Sequence, residues 1–355
     1  MKLLITGICG FAGFRIAKFW KERQPELEIV GMDNFIRPGS ETNREALKKL
    51  GVSLVHGDIR CASDFETLPK VDWVLDCAAN PSVMAGVDGK SSSRQLMEHN
   101  LGGTVELLEF CRKHQAGFTL LSTSRVYGVK PLAGLKMKQQ GNRFVLNEDT
   151  EHNIGVSSEG ISENFSTEPP LSLYGTSKRA AEFLALEYGE TFDFPVWINR
   201  CGVMAGPGQF GKADQGIISF WLHSHRAKRP LKYIGFGGKG YQVRDFFDPI
   251  DLIPLMEKQM SCSDPEAPRT VNIGGGNAIS VSLAELTEWC NDRFGEHEVA
   301  ETNEERPFDI PWVIMDSSKA IDYWNWSPTI DKETLLESIA QHAEQNPNWL
   351  DLAVS

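Results

Sequence analysis

The chain has 355 residues, of which 41% are hydrophobic and 24% are charged, and its formal net charge is −12 at pH 7. This length allows one large core or two moderate ones, and we expect two lobes. The excess of acidic groups argues against a nucleic-acid binder, because phosphate backbones attract lysine and arginine. The seven cysteines include no Cys-x-x-Cys pair, so we expect a reducing cytoplasm rather than disulfides or a zinc knuckle. No leader-like segment and no run of eighteen apolar residues occurs, so we expect neither export nor a membrane span.

The chain opens with a pattern that predicts strand, tight turn and helix. An apolar run at 2–6 is followed by Gly7-Ile8-Cys9-Gly10-Phe11-Ala12-Gly13, and helical spacing begins at Arg15. The first glycines let the backbone turn and approach a pyrophosphate, and the third lets the helix pack on the strand. This pattern predicts a dinucleotide site.

The second predicted strand, at 28–32, ends in Asp33. A carboxylate at this place can bind the ribose hydroxyls of adenosine and would repel a 2′-phosphate, so NAD is favoured over NADP. The alternative is an ordinary turn aspartate before Asn34.

Further strand-like runs at 52–56, 71–77 and 118–122 alternate with helical stretches such as 98–114. This alternation predicts an α/β fold of the Rossmann type, a doubly wound parallel sheet with helices on both faces. Ligands of such sheets bind at the carboxyl ends of the strands. The polar segments at these ends are Gly57-Asp58-Ile59-Arg60, Cys77-Ala78-Ala79-Asn80 and Ser122-Thr123-Ser124, with turn chemistry as the alternative for each.

Tyr174 and Lys178 are four residues apart where a helix could begin. On a helix the two side chains share a face. A free tyrosine has a pKa near ~10, so a nearby ammonium would help to stabilise the phenolate. Such a pair also arises by chance, and its context has to support a catalytic role.

The motifs together resemble the extended short-chain dehydrogenase/reductase family, whose members mostly act on nucleotide sugars. The motifs are Thr-Gly-x-x-Gly-Phe-x-Gly at 6–13, Gly-Asp-Ile-Arg at 57–60, Asn100 before Gly-Thr, Ser-Thr-Ser-Arg-Val-Tyr-Gly at 122–128 and Tyr-x-x-x-Lys at 174–178. The resemblance implies that Tyr174 is the catalytic base, that Thr123 orients the sugar hydroxyl, and that Lys178 lowers the tyrosine pKa and binds the nicotinamide ribose. The implied NAD-binding residues are Gly7, Gly10, Phe11, Ala12, Gly13, Asp33, Asn34, Asp58, Ile59, Cys77, Ala78, Ala79, Asn100, Ser122, Tyr174, Lys178 and Cys201.

The resemblance also implies two units, an NAD-binding Rossmann domain at 1–203 and a smaller nucleotide-sugar lobe at 204–355, partly interleaved with the sheet near 243–275. Residues 129–170 form an insertion that is longer than in most members of the family. It could cover the sugar site or meet a neighbouring subunit, and the sequence leaves both open. We expect a homodimer or higher homo-oligomer through the helices near 98–114 and 177–188, as in relatives.

The second half carries the signals for a substrate. Gln-Phe at 209–210 followed by Asp-Gln-Gly at 214–216 resembles the CDP-tyvelose 2-epimerases, also named CDP-paratose 2-epimerases. Two arginines match family residues that contact the substrate diphosphate, which suits the planar fork of a guanidinium. Val203 replaces an asparagine common in relatives, and His-x-His at 223–225 lacks partners for a metal. The implied substrate-binding residues are Ser82, Ser124, Arg125, Val203, Gln209, Gln215, Arg244 and Arg306.

The resemblance implies epimerisation through a transient keto sugar and NADH, with NAD restored at the end. The 4,6-dehydratases of the family place an Asp-Glu pair after the threonine, and the decarboxylating branch usually has a glutamate at the position of Arg125. Here Ser124 and Arg125 stand at those places, which disfavours both reactions. We therefore expect an isomerase acting at C2 of a CDP-sugar. The alternatives are a UDP-hexose or UDP-uronate 4-epimerase, or a non-catalytic NAD-binding regulator.

Overall fold

The computed structural model describes residues 1–87, 89 and 91–353. Its strands in chain order are β1 (Lys2–Thr6), β2 (Glu28–Asp33), β3 (Ser53–His56), β4 (Trp73–Asp76), β5 (Gly117–Thr123), β6 (Met137–Gln140), β7 (Arg143–Leu146), β8 (Val156–Ser157), β9 (Gly160–Ile161), β10 (Val196–Cys201), β11 (Val203–Met204), β12 (Leu231–Tyr233), β13 (Val243–Phe247), β14 (Thr270–Ile273), β15 (Ser280–Ser282), β16 (Val299–Glu301) and β17 (Trp312–Val313).

The helices in chain order are α1 (Phe11–Arg23), α2 (Arg44–Lys49), α3 (Ala62–Phe65), α4 (Ser93–Met97), α5 (Gly103–His114), α6 (Val129–Ala133), α7 (Leu173–Phe192), α8 (Ile217–Arg226), α9 (Leu252–Met260), α10 (Leu283–Phe294), α11 (Ser318–Trp324), α12 (Lys332–Gln345) and α13 (Trp349–Leu352). A π-helical turn at Glu98–Gly102 joins α4 to α5. The predicted helix at 98–114 is therefore the second part of a longer helical segment.

Seven parallel strands form the main sheet, in the order β14-β10-β5-β4-β1-β2-β3. The strand order reverses between β1 and β4, which is where ligands of doubly wound sheets bind. Leu3, Leu4 and Ile5 of β1 are fully buried, as expected of a strand covered by helices on both faces. The predicted Rossmann fold is confirmed.

The second half of the chain contributes to both units. Strand β14 pairs with β10 in the main sheet, and α9 and α11 supply Leu252, Ile253 and Trp324 to the core on one face of that sheet. A smaller sheet contains β11, β13, β15 and β17. Residues after 203 therefore pack on the main sheet as well as in the smaller one.

The insertion at 129–170 is ordered into α6 and two hairpins, β6–β7 and β8–β9. Leu146 and Ile161 are buried in a cluster with Val243 and Trp312 of the smaller sheet. The Phe144 N–H donates to the Tyr241 carbonyl at 2.9 Å. The insertion therefore packs on the second lobe.

In the part of the chain that the structure describes, no helix is both long enough and apolar enough to cross a bilayer. All seven cysteines are free thiols.

Candidate functional site

A cavity of about 790 Å³ runs from the Gly7 turn across the carboxyl ends of the main strands and into the second lobe. Cavities that bind small molecules commonly have volumes of about 300–1,000 Å³. Its far end is lined by apolar side chains that include Trp221, Leu231 and Leu283. Among the described residues that line it, none comes from the insertion at 129–170, so in this structure the insertion does not cover the site.

The glycine-rich turn closes so tightly that only glycine fits at two positions. Gly7 has a φ of +59°, and a Cβ there would lie 2.9 Å from the Cα of Ala78. A Cβ on Gly13 would lie 2.5 Å from the Gly7 carbonyl oxygen. Gly10 and the start of α1 line the cavity directly. This cradle has room for a pyrophosphate at the N-terminus of α1.

Asp33 lies at the end of β2 and is buried at the cavity wall. Its Oδ2 accepts a hydrogen bond from the Cys9 N–H and its Oδ1 accepts one from the Phe35 N–H, both at 2.8 Å. Burial raises the pKa of this carboxyl, and the backbone donors oppose that rise. The carboxylate is held where ribose hydroxyls would be expected and where a 2′-phosphate would be repelled.

The three residues that the resemblance implies to be catalytic all line the same cavity. Thr123 ends β5, and Tyr174 and Lys178 lie in the first turns of α7, which begins because the Ser172 hydroxyl accepts from the Gly175 N–H at 3.0 Å. Burial raises the pKa of Tyr174 to about 12, while a hydrogen bond with the Thr123 side chain and the charge of Arg125 oppose the rise.

Lys178 is buried and faces the carboxyl ends of the neighbouring strands. Its charge opposes the rise that burial causes in the pKa of Asp76, Cys77 and Cys201. Lys178 therefore supplies positive charge to the floor of the site. The charge of Arg125, a residue that was expected to bind the substrate, also lowers the pKa of Tyr174.

Most of the residues that we predicted for the cofactor line the cavity, and three do not: Gly13, Asp58 and Asn100. Gly13 packs α1 on the turn. The Asp58 carboxylate pairs with Arg60 at 2.6 Å and accepts from Asn34 at 3.0 Å. The Asn100 amide holds the backbone of Asn80 through bonds of 2.8 and 3.0 Å. Asp58 and Asn100 thus bind Asn34 and Asn80, which do line the cavity.

The residues predicted for the substrate lie toward the second lobe, and all of them except Ser82 line the cavity. The Ser82 hydroxyl donates to Asp214 at 2.9 Å. Arg244 donates to the carbonyls of Val243 and Ile310 at 2.8 and 2.7 Å and lies 3.7 Å from the Asp309 carboxylate. Burial lowers the pKa of Arg244 to about 10.

Arg37 and Asp309 line the cavity and were missed by the sequence prediction. Arg37 donates to the Gln215 side chain at 2.7 Å and to the Phe210 carbonyl. These partners are more than 170 positions away in the chain, so no local pattern indicates the contact. Asp309 is three residues after Arg306, which was predicted to bind the substrate, and was not itself predicted.

No group of His, Cys, Asp and Glu side chains within residues 1–87, 89 and 91–353 could hold a metal ion. His223 of the His-x-His stretch instead contacts His342, with 3.3 Å between their ring nitrogens.

The sequence profile of the NAD dependent epimerase/dehydratase family matches residues 3–274. The chain belongs to this family. A CDP-paratose 2-epimerase of Salmonella typhi is 30% identical to it over 345 residues, which cover 93% of this chain and 95% of that protein. The predicted family and its NAD cofactor are confirmed, and the glycine cradle and Asp33 fit NAD.

Two solved structures show the same fold. The X-ray structure of Pal from Bacillus thuringiensis superposes with a TM-score of 0.77 at 24% identity, and covers 97% of this chain and 99% of that chain. A UDP-glucuronic acid 4-epimerase from Bacillus cereus, in complex with UDP-glucuronic acid and NAD, gives a TM-score of 0.75 at 24% identity with the same coverage. Epimerases and dehydratases both belong to this NAD-dependent family.

Proposed function

We propose that the protein is an NAD-dependent epimerase that inverts C2 of a CDP-activated hexose. The observation that carries the choice of epimerisation is the pair Ser124 and Arg125, which line the cavity directly after Thr123. A dehydration needs acidic groups to remove water, and this stretch offers a hydroxyl and a guanidinium. The similarity to the Salmonella typhi CDP-paratose 2-epimerase along nearly the whole chain supports C2 and cytidine.

In this reaction Tyr174, as phenolate, takes the proton of the sugar hydroxyl at the reacting carbon. Thr123 lines the cavity with Tyr174, lowers the pKa of that phenol and orients the sugar hydroxyl. NAD, when bound, supplies the oxidising equivalent and returns it, so no net oxidation remains. After the keto sugar turns in the site, its other face would receive the hydride and Tyr174 would return the proton to the carbonyl oxygen, which gives the inverted alcohol.

Arg244 and Arg306 are proposed to hold the diphosphate. Both line the cavity on the side away from the glycine turn. Arg306 is exposed and donates to the Ala213 carbonyl at 3.1 Å, so its guanidinium can reach a ligand from the cavity mouth. Two guanidiniums complement the two negative charges of a diphosphate. The free cysteines support our proposal that the protein acts in a reducing cytoplasm.

The test incubates the purified protein, with and without added NAD, with CDP-glucose, CDP-paratose, UDP-glucose and UDP-glucuronate, and resolves the products by NMR. Inversion at C2 of a CDP-sugar, abolished by Tyr174→Phe, is the expected result. Tyr188→Phe is the matched control, because this tyrosine lies on the same helix and donates to Glu109 at 2.9 Å, away from the cavity. It should leave turnover unchanged.

Inversion at C4 of a UDP-sugar would contradict the C2 assignment and favour a 4-epimerase. Binding of NAD without turnover of any sugar would favour a regulator. Formation of a 4-keto-6-deoxy product would contradict the reading of Ser124 and Arg125.

A further inference from the structure

Gln209 and Phe210 form part of the cavity wall, and one side chain from outside the motifs holds both of them. The Trp349 indole stacks on the Phe210 ring, with 5.1 Å between the ring centroids and 14° between the planes. Its N–H donates to the Gln209 carbonyl at 3.0 Å. Trp349 lies in α13, beyond the residues 3–274 that the family profile matches. It therefore fixes both the backbone and the ring of a pair that faces the cavity.

The loop that follows β2 also packs on Phe210. A Cβ on Gly39 would lie 2.7 Å from the Phe210 ring, so the backbone of this loop touches the ring directly. Arg37 of the same loop donates to the Phe210 carbonyl. Phe210 is consequently only 2% exposed. A small residue in place of Trp349 would leave a gap beside this ring, into which the ring could move.

The Gln209 side chain depends on the same backbone. Its Nε2 donates to the Met204 carbonyl at 2.8 Å. A Cβ on Gly216 would lie 2.9 Å from its Cδ, so the amide is folded against the other end of the segment. A shift of the Gln209 carbonyl would move this amide, which belongs to a residue that we predicted for the substrate.

The second lobe gives Trp349 a support of its own. Leu350 of α13 is buried, and Asp351 pairs with Arg229 at 2.8 Å. The His342 ring of α12 meets the indole edge-on, with 4.7 Å between the centroids and 89° between the planes. The indole is therefore held independently of the pair that it contacts.

Other bonds of the segment act further along the chain. Arg37, Ser82 and Arg306 bond to residues 213–215. These contacts hold the tip of the turn, whereas Trp349 holds the end at which the segment enters the cavity wall. Loss of the indole should therefore loosen the beginning of the segment most.

We propose that Trp349 is a positioning residue for substrate binding, which acts by fixing Gln209 and Phe210 in the wall of the cavity. The inference rests on the proposed function and deepens it. If the pair detaches in some of the molecules, only the remaining fraction is competent to bind, and the apparent Kd rises as that fraction falls. Saturating substrate draws all molecules back to the competent state. Because Thr123 and Tyr174 are carried by β5 and α7, the chemical step itself should be preserved.

The first experiment measures amide hydrogen exchange by mass spectrometry in the NAD-loaded protein without a sugar. The Gly211 N–H donates at 2.9 Å to the Gln209 carbonyl, the atom that the indole also holds. We expect Trp349→Ala to speed exchange in peptides that cover 209–212 by about fivefold or more. Trp349→Phe keeps a ring for the stack and loses the N–H bond, so it should speed this exchange by about twofold. Peptides from β1 and α7 should exchange as in the unmodified protein.

The second experiment measures steady-state turnover of CDP-paratose, or of whichever of the four nucleotide sugars is turned over. Trp349→Ala should raise KM about fivefold or more and change kcat by less than about twofold, and Trp349→Phe should raise KM by a smaller factor. If Trp349→Ala does not fold, Trp349→Phe carries both measurements.

Trp289→Ala is the matched control. The Trp289 indole on α10 also donates a bond of 2.8 Å, to Glu333, but this tryptophan does not line the cavity. The control should change neither KM nor the exchange of 209–212.

Three results would overturn the proposal. Unchanged exchange at 209–212 would mean that the indole does not restrain the pair. Equally faster exchange in β1 and α7 would make Trp349 an ordinary core residue. A lower kcat at an unchanged KM would place its effect on the chemical step. If the unmodified protein turns over no nucleotide sugar, the proposed function fails, and the exchange measurement still decides whether Trp349 holds this wall.

Discussion

The buried ion pair between Glu182 and Arg200 holds the end of β5, which carries Thr123. Glu182 on α7 is fully buried, and Arg200 on β10 is 4% exposed. The carboxylate accepts from Arg200 at 2.8 and 3.0 Å and from the Ser122 hydroxyl, next to Thr123, at 2.5 Å. Glu182→Gln keeps the shape and removes the charge, so it leaves a buried guanidinium without its counterion. Breaking a buried pair in this way lowers the free energy of unfolding by about 3–5 kcal/mol. That is a large share of the total free energy of unfolding of a typical protein, which is roughly 5–15 kcal/mol.

Equilibrium unfolding in urea, followed by tryptophan fluorescence and circular dichroism, measures the effect. The matched control is Glu109→Gln, because Glu109 pairs with Arg112 at 2.7 Å while both side chains are about 40–47% exposed. The Glu109→Gln variant should lose less than about 1 kcal/mol in free energy of unfolding. The double variant Glu182→Leu with Arg200→Met removes both charges and should be more stable than Glu182→Gln. A loss below about 1 kcal/mol for Glu182→Gln, at an unchanged denaturant slope, would refute the reasoning.

Three further predictions concern the cofactor turn, acid stability and assembly. Gly13→Ala should weaken NAD binding about tenfold or more in a calorimetric titration, because its Cβ would meet the Gly7 carbonyl at 2.5 Å; unchanged affinity would contradict the tight cradle. Burial lowers the pKa of His223 to about 3 and that of His342 to about 4. Both are neutral when folded and charged in the unfolded chain below about pH 6.5, so each should cost about 2 kcal/mol of stability at pH 5. In His342→Asn the free energy of unfolding should fall less steeply between pH 6.5 and 4 than in the unmodified protein. An equal pH dependence in both proteins would contradict the role given to His342. We propose a dimer through α7, where Phe183 is 57% exposed. The unmodified protein should then sediment as a dimer and Phe183→Asp as a monomer; a monomeric unmodified protein or an unchanged sedimentation coefficient would contradict this.

The main sheet could be predicted because its strands are buried on both faces and read as continuous apolar runs. The predicted strand at 2–6 has the observed bounds, and the others differ from the structure by one or two residues at an end. The smaller sheet was not predicted. Its strands β11 and β17 have two residues each and pair with the distant β13, so their local sequence carries too little periodicity.

The Gly7 turn and Asp33 could be predicted from local sequence, whereas the long-range contacts of the site could not, for a physical reason. The Gly7 turn and Asp33 act through backbone geometry and lie at the ends of adjacent strands, so their spacing in the sequence reflects their spacing in the fold. Arg125 lies next to Thr123, yet its long side chain reaches the Phe308 carbonyl, 183 positions on. Contacts of this kind depend on how the second lobe folds back, which no local pattern records.

The segment 209–216 makes long-range contacts that its sequence motif, Gln-Phe followed by Asp-Gln-Gly, could not predict. Lys212 and Gln215 close a tight turn through mutual backbone bonds of 2.7 and 3.1 Å. Side chains from three distant parts hold this turn: Arg37 from the loop after β2, Ser82 from the loop after β4, and Arg306 from the second lobe. Ser82 and Gln215, which match substrate residues of relatives, thus bind the protein itself. Because Arg37 and Ser82 follow strands that carry the NAD site while Arg306 faces the proposed diphosphate, this turn physically joins the cofactor and substrate halves of one cavity.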